Sequence, residues 1–402
     1  MTSQERPRLR PYLAAAIDEN DPEHILLYDR LGLAERPWRI SRAEFHWVRL
    51  FDGRRTLHDI HAQGGQDAEV AWPLERLTRL VERLDEALFL DGPRFWERLA
   101  DPIREPTCIG CYEGEPDALR RQVRGLFTGG RGPGLPREGR PDGRLRAALI
   151  PHIDYHRGGH SFAWGFKEVF ERTDAELFVI IGTSHYSPAR FTLTRKHFKT
   201  PLGVAQTDQG YIDRLVAHYG DGLFDDELTH LPEHSIELEV VFLQYLYENR
   251  RPIRIVPLLV GPFQDCVEDG RVPANKQDIG RMVEALRQAE AETQEPICYI
   301  ISGDLAHIGP KFGDPEPVNE VLIAKSRAGD QAILRQAEAA DPAGYFRVIA
   351  AEGDRRRICG LPPTYTLLEA VHPSRGQILN YDQYVHPRGY ESVSFASVAF
   401  YR

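Results

Sequence analysis

Residues 145–160 read Leu-Arg-Ala-Ala-Leu-Ile-Pro-His-Ile-Asp-Tyr-His-Arg-Gly-Gly-His. The apolar run Leu145–Ile150 has the length and continuity of a buried strand. Pro151 stops the ladder because it has no N–H to donate. Within the next nine residues stand His152, His156 and His160, and Gly158 and Gly159 give the backbone freedom for a tight turn.

The same grammar recurs twice. Leu177–Ile181 (LFVII) is an apolar, β-branched run followed by Gly-Thr-Ser-His185. Ile297–Ile301 (ICYII) is followed by Ser302-Gly303-Asp304-Leu305-Ala306-His307. In open α/β sheets the crevice at the carboxyl ends of the strands holds the ligand. Three strand-like runs that each deliver His, or Asp and His, just past their ends predict one shared polar cleft.

The rest of the chain sets limits. Its 402 residues suit two domains. A formal net charge of −10 gives no broad affinity for phosphate, so nucleic acid is not an expected partner. No apolar run nears the roughly 20 residues of a membrane span. The opening MTSQERPRLRPYL lacks an apolar signal core, and the expectation is a cytoplasmic protein away from membranes. The cysteines at 108, 111, 266, 298 and 359 are odd in number and widely spaced, which does not suggest a disulfide framework. Cys108-Ile-Gly-Cys111 is a lone CxxC; ordinary small residues at a domain entrance are its plain reading, and redox or metal use is the alternative.

Residues 1–104 are expected to form one domain and 105–402 another. In the first, Ser41-Arg-Ala-Glu44 is a capping box opening a helix through Phe45, Trp47, Val48, Leu50 and Phe51. Thr56–Ala62 reads as a second helix, and Leu74, Leu77, Leu80, Val81, Leu84 and Leu88 mark a third. Residues 88–92 offer a short strand and turn, giving a small, mainly helical, winged-helix-like module. Its third helix mixes Arg76, Arg79 and Arg83 with acidic residues and reads as a solvated face rather than a DNA reader. The Gly/Pro/Arg-rich segment 128–143 predicts an exposed loop. Beyond it, Ser161–Glu171 predicts a helix with Phe162, Phe166, Val169 and Phe170 inward. Ser235 is placed to cap a helix running to Tyr247, with His234 just outside its positive end. Strands are expected over 191–194, 253–260, 377–381 and 392–401, and helices over 276–292, 318–339 and 364–371. Cys359 precedes the last of these, where the helix dipole favours thiolate.

Taken in order, PHIDYHRGGH, IGTSHY, TPLG with Asp208, EHSIE, ISGDLAHIG and ICG resemble the Memo family over residues 107–402. The first motif departs from the HAGYxYSG common there: Asp154 replaces a small residue, and His156 and His160 are extra. The N-terminal block, with FDGRRTLHDI and its leucine helix, resembles the small peptide-binding domains of the PqqD type. The Memo resemblance implies a central mixed α/β sheet flanked by helices, as in the class III extradiol dioxygenases. It implies His152, His185 and Cys359 as metal ligands, with Asp304, His307 and His234 as catalytic residues in the same pocket. Iron(II) is the expected metal, with copper and zinc as further candidates. Asp304 and His307, close in sequence, are placed to orient each other for proton transfer. Microbial members are often labelled protein B of a set that includes a radical S-adenosylmethionine protein, which is therefore a candidate partner beside a small-molecule or peptide substrate. Two function classes follow: a metal-dependent oxidoreductase, or a non-catalytic metal-binding module whose N-terminal domain grips a partner. Zinc hydrolysis is a third.

Overall fold

The computed structural model describes residues 6–34, 36–67, 72–139 and 144–402. The chain divides into two compact units, one ending at Pro102 and the other spanning Ile103–Arg402.

The first unit opens with β1 (Leu13–Asp18), β2 (Asp21–Asp29) and β3 (Trp38–Ser41), an antiparallel sheet in that order. Helices α1 (Arg42–Val48), α2 (Leu57–Asp67), α3 (Leu74–Glu86) and α4 (Pro93–Ala100) follow. The capping box is present: Ser41 Oγ accepts the Glu44 N–H, and the Glu44 carboxylate accepts the Ser41 N–H. Helix α3 buries Leu77, Leu80, Val81 and Leu84 against Trp47, Ile60 and Ile40. The sheet ahead of the helices was not expected. Most of β1 is solvent-facing, and its Leu-Ala-Ala-Ala start lacks the alternation that marks a strand. Conversely, the strand expected near Leu88 is a single bridge, Leu90 to Leu9.

The second unit begins with β4 (Ile103–Arg104) and α5 (Pro116–Thr128), then β5 (Leu145–Ile150), α6 (Tyr155–Arg172) and β6 (Leu177–Thr183). Next come β7 (Phe191–Leu193), β8 (His197–Thr200), β9 (Gly203–Thr207), α7 (Gln209–Tyr219), α8 (His234–Tyr247) and β10 (Arg254–Val260). After α9 (Gln264–Asp269) and α10 (Gln277–Ala291) follow β11 (Ile297–Ser302), β12 (His307–Ile308), α11 (Glu320–Glu338), α12 (Pro342–Ala351) and α13 (Leu361–Val371). Strands β13 (Arg375–Val385) and β14 (Ser392–Tyr401) end it. The sheet runs β12-β14-β5-β11-β6-β10-β9-β8-β4, with β13 on β14 and β7 on β10. Its centre, β5-β11-β6-β10, is parallel, while β14 runs antiparallel to β5. The unit is thus a mixed α/β fold with helices on both faces.

Alternate residues of β5 serve different cores. Ala147 and Leu149 face one side with α7, α10 and α13; Ala148 and Ile150 face the other with α6 and α8. Both faces are covered, so the central strands read as unbroken apolar runs. Phe162 and Phe166 of α6 stack on Phe242 of α8, with ring centres 5.4 and 5.0 Å apart.

One local expectation is corrected. Gly158 and Gly159 lie inside α6, which starts at Tyr155, rather than in a turn. They are small because the helix is pressed close: a Cβ on Gly158 would stand 2.2 Å from Ile153 Cγ2, and one on Gly159 2.7 Å from Leu126. The expected exposed loop is present over the described residues 129–139, which hold no helix or strand and are exposed or half-buried while resting on α6. Trp164 donates to the Arg131 carbonyl at 3.0 Å and Lys167 to that of Pro133 at 2.7 Å. The remainder, 140–143, lies outside the described residues.

Candidate metal centre

The parallel pairing aligns Ser302 with both Ile150 and Gly182, so β5, β11 and β6 end level with one another as adjacent strands. Their continuations carry His152, Asp304 and His185 to the same edge. The start of α8 adds His234, and the turn before α13 adds Cys359.

Two donor sets meet at His152. In one, ligand atoms of His152, His185 and His234 all lie within 4.8 Å of each other; in the other, those of His152, Asp304 and Cys359 do. Cys359 Sγ is 3.2 Å from His152 Nε2, and Asp304 Oδ2 is 3.9 Å from the same nitrogen. His152 is common to both sets, but His185 belongs to one and Cys359 to the other. The structure groups His234 with the other imidazoles rather than with Asp304 and His307.

Hydrogen bonds set the tautomers. The Ser302 hydroxyl donates to the Ser235 carbonyl at 2.6 Å and so offers His152 Nδ1, 3.4 Å away, only a lone pair. His152 donates from Nδ1 and keeps Nε2 unprotonated. Glu233, buried and not foreseen as a site residue, organises the other two rings. Its carboxylate accepts from the His185 main chain at 2.8 Å and from His185 Nδ1 at 3.0 Å, and it reaches His234 Nδ1 at 3.2 Å. The rings of His185 and His234 stack at 4.7 Å. With Nδ1 given to Glu233, both rings have Nε2 to present to a ligand. A carboxylate behind a histidine is the usual means of fixing ring orientation at metal sites.

Charge is balanced tightly. Burial and the neighbouring imidazoles keep His152 well below its ordinary pKa, hence neutral. Burial opposes ionisation of Glu233, but His185 and His234 hold its carboxyl well below the usual range. Burial also pushes His234 down, yet Glu233 more than offsets it, and the net shift is upward. The shift is upward although the positive end of a helix disfavours an imidazolium. Burial lifts Asp304 to about 6 against the stabilising His152 N–H at 3.0 Å. Cys359 is raised well above the thiol range by burial and the Asp304 charge. The helix dipole expected to favour its thiolate is thus outweighed until a cation arrives.

Two further sequence expectations meet a different geometry. Ser235 is inside the first turn of α8, and its hydroxyl ties the helix to the end of β6 by donating to the Thr183 carbonyl at 2.8 Å. The cap is Glu233, which accepts the Ser235 N–H. Asp304 and His307 do not orient each other: Asp304 holds the His152 main chain, and His307 Nδ1 bonds the Leu305 and Arg357 carbonyls at 3.2 and 3.0 Å. Burial lowers His307 to about 4, so it is neutral at pH 7 with Nε2 a free base. Asp208 of the TPLG segment caps α7 and pairs with Arg254, away from the histidines. Beside His185 and Cys359 opens a cleft of about 300 Å3 whose other walls include Phe263, Val267, Leu361 and Arg357.

Residues 104–399 match the Memo-like protein family. The chain belongs to that family. Among its relatives is a MEMO1 family protein of Aquifex aeolicus, 24% identical over 392 residues that cover 94% of this chain and 96% of the relative. One of Methanopyrus kandleri is 28% identical over 309 residues, 74% of this chain and 99% of its own. One of Methanothermobacter thermautotrophicus is 30% identical over 266 residues, 65% of this chain and 85% of its own. The Memo-like match spans every motif of the cleft. Glu233 was the residue that motif reading passed over; its signal was its place next to His234 in Glu-His-Ser-Ile-Glu.

Proposed function

We propose that this Memo-like protein binds one transition metal through His152, His185 and Cys359, and uses it as a non-haem redox enzyme resembling the class III extradiol dioxygenases. The observation that carries the metal is the pair of donor sets that meet at His152, one of three imidazoles and one of His152 with a carboxylate and a thiol, beside a buried carboxylate that already orients two of the rings. Imidazole with thiolate suits iron, copper or zinc, and iron(II) is the first choice. Bound there, the metal would supply a redox or Lewis-acid centre facing the cleft.

The protein's own groups do the rest. Glu233 keeps the imidazole nitrogens turned inward and balances the incoming charge. His234 stands as an additional ligand or a proton carrier beside them. Asp304, with its pKa lifted to about 6, and His307, neutral with a free Nε2, are suited to moving a proton to and from a substrate. The half-apolar cleft admits a small molecule or a peptide side chain. The N-terminal unit, read as PqqD-like, is the place for a peptide or a radical S-adenosylmethionine protein.

The test joins metal analysis with oxygen uptake. His152→Ala, His185→Ala and Cys359→Ala are each expected to lose most of the metal after loading. His307→Ala is expected to keep it yet lose oxidation of a catechol panel by about 10²–10⁴-fold. Unchanged metal in all three ligand variants would sink the site. Metal uptake without oxygen consumption in any loaded form would favour a binding module instead.

A further inference from the structure

Outside the histidine pocket, a second reactive pair sits ahead of α5. Cys108-Ile109-Gly110-Cys111 is a closed turn in which the Cys111 N–H donates to the Cys108 carbonyl at 2.9 Å. Such a turn holds its first and last Cα atoms within about 7 Å. A disulfide spans about 4.4–6.8 Å between Cα atoms. Gly110, at φ +110°, supplies a reversal that an L side chain resists.

The two sulfurs stand in unlike surroundings. Cys108 is buried, Cys111 is half-buried, and Ile109 between them is 54% exposed, so the tip of the turn meets solvent. Cys108 lies against Glu237, whose Oε1 accepts its N–H at 3.2 Å. Burial, Cys111 and that carboxylate all keep the Cys108 thiol protonated. The Cys108 thiol in turn donates to the Cys111 sulfur and, against partial burial, brings Cys111 below the usual thiol range. The remaining cysteines move the other way, chiefly through burial: Cys266 up to about 11, Cys298 up to about 12, and Cys359 well up.

We propose that Cys108 and Cys111 form a dithiol–disulfide couple, with Cys111 the attacking and Cys108 the resolving thiol, and an organic disulfide as substrate. The Cys111 thiolate attacks one sulfur of the substrate, forms a mixed disulfide and releases the first thiolate. Cys108 then attacks Cys111 Sγ, its proton passing to the thiolate just released, and expels the second thiolate. Net, two protein thiols become one disulfide and the substrate becomes two thiols; it takes two electrons and two protons, one from Cys108 and one that Cys111 had given up to solvent. The asymmetry is what such exchange needs: an accessible thiolate to attack and a protected thiol to finish.

The couple is wired to the metal pocket by backbone. The Tyr155 N–H, three residues past His152, donates to the Cys111 carbonyl at 3.0 Å. Glu237 lies one turn along α8 from Glu233 and also takes the Thr107 N–H at 3.0 Å and an ion pair from Arg104. The exchange itself uses no metal and stands or falls separately from the proposed oxidation.

The test uses the full-length protein, reduced and then desalted. At pH 7, iodoacetamide is expected to label Cys111 about tenfold or more faster than any other cysteine. In glutathione buffers of rising disulfide content, followed by acid quench and alkylation, the tryptic peptide 105–120 is expected to lose two hydrogens as an internal disulfide. Cys108→Ala is expected to hold glutathione on Cys111 as a persistent mixed disulfide that the wild type resolves. A peptide that keeps two free thiols at every ratio, persistent glutathione on the wild type, or Cys111 labelling no faster than the rest would each overturn the couple. The labelling and peptide-mass arms use wild-type protein, so poor folding of the variant leaves them decisive.

Discussion

Glu233 shows how much of a metal site depends on a residue that need not touch the metal. It is buried, ionised, and shared between the rings of His185 and His234 while capping α8. Replacing it with Gln keeps the size but removes the charge and leaves one amide N–H group facing ring nitrogens. Glu233→Gln is expected to weaken metal binding about 10–100-fold, read by competition with a coloured chelator; unchanged affinity would mean that the rings are held by packing alone. The same electrostatics fix a pH dependence. His234 is raised by Glu233, Cys359 is raised by burial and Asp304, and Asp304 is lifted to about 6. Each binds a proton more readily than usual in the metal-free protein, and a metal must displace it. Affinity should therefore rise with pH from about 5 to 8, with net proton release on binding. Calorimetry in buffers of differing ionisation enthalpy measures that release; zero release across the range would contradict these assignments. Histidines and a cysteine past strand ends could be seen in the sequence because their placement is local. Glu233 could not, because a Glu before a helix usually reads as a cap, and only the fold shows which rings it faces.

Among the elements, those that build the site's floor were the easiest to read. The parallel strands β5, β6, β10 and β11 are buried on both faces, and burial leaves a continuous apolar run in the chain. Strands β8 and β9 are short and part-exposed, and carry no such mark. The glycines were legible as glycines but not in purpose. Gly303 and Gly360 face each other across the pocket wall: a Cβ on Gly303 would stand 2.5 Å from Gly360 Cα, a backbone atom that cannot swing aside. The Gly360 N–H donates to the Asp304 carbonyl at 2.9 Å, so this contact seats the Cys359 turn against the end of β11. Gly303→Ala is expected to cost about 1–3 kcal/mol of stability, as overpacked sites do, and to weaken metal binding by moving Cys359 from His152. Denaturant titration and metal competition check the two effects; a stable variant with full affinity would show that the turn gives way without reaching the sulfur.

At the scale of the whole molecule, the two units invite a division of labour. Residues past Ile103 contain every group of the metal pocket and the cysteine couple, and they hold their own two-sided core. The relative from Methanopyrus kandleri aligns over 99% of its length to only 74% of this chain, so about a quarter of this chain has no counterpart in it. The relative from Aquifex aeolicus, matched over 94% of this chain, must run through both units. The first unit has a separate core of its own around Trp47, Ile60, Leu80 and Leu84. A chain of residues 103–402 is therefore expected to fold with a cooperative thermal transition and to bind the metal with the affinity of the full protein within about threefold, since truncation that spares a site's packing is usually mild. Residues 6–102 should fold separately and bind no metal at that affinity. If the larger fragment is soluble but loses the metal, the first unit contributes to the pocket; if it is insoluble while the full chain folds, the two cores are not independent. If both fragments behave as expected, the first unit is a separate folding unit, and peptide or partner capture is the assay for the recognition role proposed for it.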